Sequence, residues 1–495
     1  MRRAGPWLAF VGSAALLAAL LALLARSQAP AVPGKEPLLV FCGAGLRVPV
    51  ESAARAYEQA TGVQVQIQSG PSQTLLASIE IVKKGDLYLP GDDAFLKIAR
   101  EKGLLEDSIP LARMRPVLAF RKGSPMKVKT LEELLAGDSK IAIASPEAAA
   151  VGKIVREALG KAGAWERLQK RVAVTKPTVN EVANDLKLGT VDAGFVWDAT
   201  VAQYPELVAV ELPELAGSRA SVSAGILKTA GSPPGAFRFA RWLAARDRGQ
   251  DDFSKAGFEV VGGDAWIEEP KLLIYAGAML RPAIAPTIAA FERREGVRVQ
   301  AVFNGCGILV AAMKVKERPD LYFACDESFM KEVQDLFGPA QPVSINQLVI
   351  LTTRGNPHGI KDLNGLGQPG LRVGVGHEKQ CALGALTKET LIQSKQYERV
   401  RANVKVEAPT GDMLVNSLLT GSLDAVVAYV SNAAASGDKL EGIAIDIPCA
   451  LAVQPVAVGK ASPHAQLAGR LLESFRSEES RKRFLSEGFR WKAGP

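Results

Sequence analysis

The chain has 495 residues and a mass of 52.5 kDa, with 47% hydrophobic and 23% charged residues. These proportions fit a packed globular protein and exclude a largely disordered one, and at roughly 150 residues per domain the length suggests about three domains. The net charge of +8 is carried by interspersed Lys, Arg, Asp and Glu with no basic block, and aromatics make up only 6%, so the composition excludes an extended nucleic-acid-binding surface.

The first predicted element is a membrane signal. Arg2 and Arg3 precede an uncharged apolar run from Trp7 to Ala25. As a helix this run covers about 28 Å at 1.5 Å per residue, close to the thickness of a bilayer's hydrocarbon. It is longer than the apolar core of a usual cleaved signal peptide, which favours an uncleaved anchor with Arg2 and Arg3 on the cytoplasmic side and the rest exported. Residues 1–26 are therefore expected to be a signal peptide or membrane anchor. Residues 27–37 follow as a short stiff tether, since Gln28–Pro37 contains three prolines.

The body is a tandem repeat. Leu38–Gln66 aligns without gaps on Leu272–Gln300, with 12 of 29 positions identical. Leu-Val-Phe-Cys-Gly-Ala-Gly-Leu-Arg at 39–47 answers Leu-Ile-Tyr-Ala-Gly-Ala-Met-Leu-Arg at 273–281. Gly85-Asp86-Leu87-Tyr88 answers Pro319-Asp320-Leu321-Tyr322, Leu186–Ala193 answers Leu418–Ala425, and Gly257-Phe258 answers Gly488-Phe489. The expected organisation is anchor, tether, copy one over 38–266 and copy two over 270–495.

Within copy one, Leu38–Cys42 reads as a strand ended by Gly43, with a helical stretch over Val50–Thr61 behind it. Val63–Ile67 reads as a strand, Thr74–Lys84 as a helix and Asp86–Leu89 as a third strand. Short strands separated by helices of 10–15 residues predict an α/β fold of parallel βαβ units. In such sheets ligands sit beyond the carboxyl ends of the strands, at helix N-termini. The turns at Gly43–Arg47, Gly70–Thr74, Ala144–Gly152 and Trp197–Ala199 occupy such places. Copy two matches them at Gly277–Arg281, Gly305–Leu309, Gly376–Gly384 and Tyr429–Ser431.

Four motifs stand in order in copy one: the Ala/Gly-rich turn ending the strand near Phe41–Leu46, Ser72-Gln73-Thr74-Leu75, the strand Asp86-Leu87-Tyr88, and Gly194-Phe195-Val196-Trp197. With these motifs each copy resembles the molybdate-binding proteins of bacterial ABC uptake systems, within the type II periplasmic substrate-binding proteins. The resemblance covers nearly all of both copies. It implies two units, each of two α/β lobes joined by a hinge over a ligand cleft. It also implies that a small tetrahedral oxyanion is held by neutral donors: two serines, two further backbone N–H groups and a tyrosine hydroxyl. A dianion in a closed cleft needs several converging donors and gains from positive helix ends.

Carried over position by position, copy one presents Gly45 in place of the first serine, Ser72 as the second, Val151 and Val179 as backbone donors, and Trp197 in place of the tyrosine. Copy two presents Met279 and Gly307 in place of both serines, Leu383 and Gly411 as backbone donors, and Tyr429 as the aromatic. Ser72 reads either as a helix cap alone or as cap and ligand donor. The resemblance further implies an ABC permease as partner, a periplasmic or extracellular location, no cofactor and no catalysis, while the N-terminal helix itself implies membrane attachment and the composition implies no nucleic acid. Two other classes stay open. One is an enzyme, since porphobilinogen deaminase shares this lobe architecture and uses a cysteine, although no carboxylate pair or Ser/His/Asp ordering is present. The other is a sensor or scaffold whose second copy no longer binds.

The five cysteines include no CxxC pair, and none of the three histidines stands in an HxxxH or HExxH setting. Cys306, Cys325 and Cys381 all fall on cleft-facing loops of copy two. They read as buried thiols, as a disulfide in an oxidising compartment, or with His377 as a soft-metal site. Cys42 and Cys449 sit in strand-like runs and read as core.

Overall fold

The computed structural model describes residues 36–124, 128–434 and 436–494. The expected signal peptide or anchor at 1–26 and nearly all of the tether at 27–37 lie outside the described residues. Among the described residues no helix is long and apolar enough to cross a membrane. The chain divides into two compact units between Gly262 and Gly263.

In the first unit, strand Leu38–Gly43 is apolar nearly throughout and lies buried. Val65–Gly70 and Leu87–Leu89 flank it, both parallel. Beyond Leu87–Leu89 the sheet continues with Ala220–Leu227, Leu105–Met114 and Glu259–Val260, and these pairings are antiparallel. The sheet is therefore mixed rather than purely parallel, because Ala220–Leu227 brings the chain back from the second lobe in the opposite sense. That second lobe is a sheet in the order Val172–Lys176, Ile141–Ala144, Ala193–Trp197, Pro116–Arg121 and Leu207–Val210.

Helix Arg47–Thr61 shows how the sequence builds a layer. Val50, Ala53, Ala54 and Tyr57 repeat at helical spacing and are buried. Tyr57 packs 4.9 Å from the ring of Phe239 and 5.4 Å from that of Trp242. Burying side chains of this size contributes about 1.5–3 kcal/mol each. The helix stops at Gly62, whose φ of 72° closes the last turn as a left-handed cap.

The second unit repeats this topology strand for strand. Its first-lobe order is Arg298–Asn304, Lys271–Gly277, Leu321–Phe323, Leu451–Val458 and the first part of Gln341–Thr353, which also pairs with Arg490–Trp491. Its second-lobe order is Val404–Ala408, Val373–Gly376, Ala425–Tyr429, the second part of Gln341–Thr353, and Leu440–Ala444. One strand thus serves both lobes here. In the first unit the same strand breaks at Arg115, because Pro116 has no N–H to give the ladder. Asp198 secures that break by accepting from the Arg115 N–H at 2.9 Å and from its Nε at 3.3 Å.

The sequence placed copy two from residue 270, but the second unit starts at Gly263. Asp264 explains the shift. Its carboxylate accepts from the N–H groups of Gln466 and Leu467, each at 2.9 Å, at the start of helix Ala465–Phe475. An acidic side chain at a helix N-terminus is stabilising, so this stretch is bound into the second unit.

Candidate functional site

In the first unit the turns after Leu38–Gly43 and Val65–Gly70 face the starts of helices Ala150–Lys161 and Val179–Leu188 on the other lobe. Between them lies a cavity of about 20 Å³, whose lining includes Gly45, Ser72, Gly91, Ala149, Val151, Val179 and Trp197. The five copy-one residues expected from the sequence therefore meet at one place. A single buried water needs roughly 10–15 Å³, so the space suits a small ion rather than a sugar or an amino acid. None of the residues that line it carries a charge.

Ser72 is not a helix cap. The helix Ser72–Val82 begins at Ser72 itself, two residues earlier than the sequence pattern indicates, and Pro71 holds the cap position. The Ser72 hydroxyl instead accepts from the Gly91 N–H at 3.0 Å, and the Tyr88 hydroxyl donates to the Ser72 carbonyl at 2.7 Å. With the oxygen fixed from behind, the Ser72 hydroxyl has no acceptor among the described residues, and Ser72 lines the cavity. Gly91 and Tyr88 were not among the expected site residues. The signal for both is present in the sequence, since Tyr88 belongs to the Asp-Leu-aromatic strand and Gly91 follows Pro90 directly after it.

Asp86 of the same motif is structural. Its carboxylate accepts from the Leu39 N–H at 2.8 Å and the Gly231 N–H at 3.0 Å, pinning adjacent segments of the first lobe. Asp320 does the same in the second unit, accepting from Leu273 N–H at 2.7 Å and Ser462 Oγ at 2.6 Å.

On the facing lobe, Val151 and Val179 stand in the first turns of their helices, where N–H groups have no intrahelical acceptor. Trp197 ends strand Ala193–Trp197 and is 2% exposed. A Cβ on Gly45 would lie 3.3 Å from Trp197 Cδ1 and 3.5 Å from its Nε1, so the indole covers the space a serine side chain at 45 would need. The lobes are joined across the cleft by Gln73 N–H to Ala148 O at 3.1 Å and by Asn180 Nδ2 to Ala44 O at 3.2 Å. Lys153 also stacks over Phe95 at 5.3 Å. Beside Gly91, Asp93 is held protonated up to about 6, first by burial and against the hydrogen bond it receives from Ser223.

The second unit corrects one assignment. Strand pairing sets Gly277 opposite Asn304, as it sets Gly43 opposite Gly70. Cys306 is then the first residue of helix Cys306–Val315, where Ser72 starts its own helix. Cys306, not Gly307, stands at the Ser72 position. Gly307 answers Gln73: its N–H donates to Gln380 O at 3.0 Å, as the Gln73 N–H donates to Ala148 O. The offset of 234 that aligns Leu38–Gln66 with Leu272–Gln300 and Asp86 with Asp320 also puts Ser72 at Cys306; pairing the serine-loop glycines Gly70 and Gly305 shifts the position by one residue.

In copy two the packing around Gly307 and Gly411 is close. A Cβ on Gly307 would stand 2.1 Å from Lys379 O, and one on Gly411 would stand 2.3 Å from Asn432 Oδ1. Asn432 is fixed there by accepting from Tyr429 N–H at 3.1 Å and donating to Asp412 at 2.9 Å. Met279 and Leu383 are buried, and Met279 receives a long contact of 3.8 Å from Asn346 Nδ2. The Tyr429 hydroxyl is buried with no hydrogen-bond partner, and burial raises its pKa.

Cys306 and Cys325 lie in contact, 2.6 Å between sulfurs. Cys381 caps helix Ala382–Gln393 on the other lobe, with its sulfur 3.6 Å from the carbonyls of His377 and Ala408. His377 Nδ1 accepts from the Lys379 N–H at 3.2 Å. Among the described residues no group of three or more His, Cys, Asp or Glu side chains is placed to hold a metal ion, so the expected set of Cys306, Cys325, Cys381 and His377 is not assembled as a metal centre. Cys42 is buried core as expected. Cys449 is only half-buried and lies in the short turn Pro448–Ala450, not in a strand.

The family model described as bacterial extracellular solute-binding protein matches residues 38–259 and again 272–490. A binding protein of Haemophilus influenzae described as putative is 30% identical over 159 residues, which cover 32% of this chain and 65% of that protein, so just under two thirds of that relative is spanned. The molybdate-binding protein ModA of Escherichia coli is 27% identical over 172 residues, covering 32% of this chain and 67% of its own length. Among solved structures, the periplasmic molybdate-binding protein of Azotobacter vinelandii aligns over 45% of this chain and 98% of its own, with a TM-score of 0.40 and 23% identity. The family match spans both repeats and almost all of the described chain, and each matched region is a two-lobed α/β unit. The chain belongs to the bacterial extracellular solute-binding proteins and carries the family's binding unit twice in tandem.

Proposed function

We propose that copy one is the working receptor of this chain and takes a small tetrahedral oxyanion of the molybdate or tungstate class. The observation that carries the reading is the meeting of Gly45, Ser72, Val151, Val179 and Trp197 around one ion-sized, uncharged cavity. The Ser72 hydroxyl, the Trp197 indole N–H and the first-turn N–H groups of Val151 and Val179 are its donors. Helix starts converge there, so a dianion gains dipole stabilisation without a countercharge. No carboxylate lines the cavity to accept a proton, which favours fully deprotonated anions over hydrogen phosphate. The relatives described as molybdate-binding proteins support the same class.

The binding cycle needs no chemistry. The lobes close over the ligand about the strands that cross between them, and an ABC permease recognises the closed unit. In this reading the N-terminal apolar run attaches the chain to the membrane with both units on the exported side. Copy two serves as a scaffold rather than a second oxyanion receptor, supported by its two lost serines and the close packing at Gly307 and Gly411. Native mass spectrometry of the full chain with molybdate, tungstate, sulfate and phosphate tests this. One molybdate or tungstate per chain is expected, and no retained anion would overturn the reading.

A further inference from the structure

We propose that Cys306 and Cys325 form a thiol–disulfide exchange site in the cleft of copy two, a property separate from oxyanion binding in copy one. The two cysteines occupy equivalent places to Ser72 and Gly91. In copy one the Gly91 N–H donates to Ser72 Oγ at 3.0 Å, and in copy two the Cys325 N–H donates to Cys306 Sγ at 3.1 Å. The hydrogen bond that orients a hydroxyl in one unit thus orients a sulfur in the other. The residue supplying that N–H has gained a sulfur of its own, in contact with the first.

The surroundings suit a reactive pair. Cys306 opens a helix of ten residues, whose positive end stabilises a thiolate. The Tyr322 hydroxyl lies beside it and interacts with the Cys306 sulfur, whereas its counterpart Tyr88 donates to the Ser72 carbonyl. Gly277 leaves room for the pair, since a Cβ there would stand 2.1 Å from Cys325 Sγ. Burial pushes the Cys306 thiol up, but the Cys325 side chain and N–H, together with the Tyr322 hydroxyl, outweigh it and bring it below its ordinary value. Cys325 is pushed up, first by its hydrogen bond to Cys306 and then by burial. Cys306 is therefore the attacking sulfur.

The exchange partner is a small disulfide. The Cys306 thiolate attacks one of its sulfurs and expels one thiolate, leaving a mixed disulfide. Cys325, on losing its proton, attacks Cys306 Sγ and expels the second. The small disulfide is reduced by two electrons to two thiols, which take up the two protons released by Cys306 and Cys325. Both sulfurs are buried, and the interlobe bond from Gly307 N–H to Gln380 O closes the cleft over them, so exchange proceeds during lobe opening.

The test uses the full chain equilibrated with oxidised glutathione or with dithiothreitol, then denatured for thiol titration and peptide mapping. Of the five free cysteines, all should titrate after dithiothreitol and three after oxidised glutathione, with Cys306 and Cys325 recovered in one cross-linked peptide. Cys381→Ser should leave that loss of two thiols intact, and Cys306→Ser should abolish it. Five titratable thiols after oxidised glutathione, or a cross-link to Cys381 instead, would overturn the proposal. Mapping of the unsubstituted chain decides the matter even where a variant fails to fold.

Discussion

Gly45 lies against Trp197 so closely that a Cβ at 45 would sit 3.3 Å from the indole Cδ1 and equally far from Val179 Cγ1. The two departures from the expected donor set are therefore one change. The larger aromatic takes the volume of the serine and brings its indole N–H close to that position.

This coupling predicts that Gly45→Ser alone will not improve oxyanion binding, because the new side chain meets the indole. Overpacking of this kind typically costs about 1–3 kcal/mol. The double substitution Gly45→Ser with Trp197→Tyr should recover the loss and bind molybdate at least as tightly as the unsubstituted chain. Calorimetry on the two single variants and the double variant measures the coupling. Additive effects would show that the two positions are independent.

Ser72→Ala removes both an O–H donor and the acceptor of the buried Gly91 N–H. A hydrogen bond to a charged ligand contributes about 1.5–3 kcal/mol, so affinity should fall roughly ten- to a hundred-fold. Stability should fall as well, by about 1–3 kcal/mol for the unpaired N–H. Calorimetry and thermal unfolding without ligand separate the two effects, and an unchanged affinity would make Ser72 purely structural.

Gly307→Ala places a methyl where Lys379 O stands 2.1 Å away. The second unit should no longer close, and its unfolding temperature should drop by several degrees, while oxyanion binding by copy one is unchanged. Differential scanning calorimetry resolves this, and an unaltered transition would mean that the Lys379 loop yields freely.

Asp93 predicts a pH dependence. Its carboxyl is raised from 3.8 to about 6, by burial first, with the nearby Asp92 charge adding to it. The native state then keeps a proton that the unfolded chain has already lost. The group's contribution is fully present below about pH 4 and is lost as pH rises through about 6. Asp93→Asn should flatten the stability profile between about pH 4 and 6. It should also stabilise the chain at pH 7 by about 1–2 kcal/mol, the shift at 1.36 kcal/mol per unit discounted for partial exposure. Urea unfolding of both forms across that range checks the sign, and parallel profiles would refute it.

The sequence by itself determined the repeat, the α/β class, the two-lobed plan and the gathering of Gly45, Ser72, Val151, Val179 and Trp197 in one cleft. The repeat and the α/β class follow from self-alignment and hydrophobic periodicity, which survive averaging over many positions, whereas the two-lobed plan and the site residues came from the resemblance to the molybdate-binding proteins. Only the tertiary structure decided what depends on one residue of register or a fraction of an ångström. Ser72 starts its helix instead of capping it, Tyr88 and Gly91 hold it in place, and Asp264 belongs to the second unit. Cys306 and Cys325, 19 residues apart, come into contact because parallel strands bring the turns that follow them to the same edge of the sheet. Local composition carries no record of that contact, since it is made by the sheet and not by neighbours in the chain.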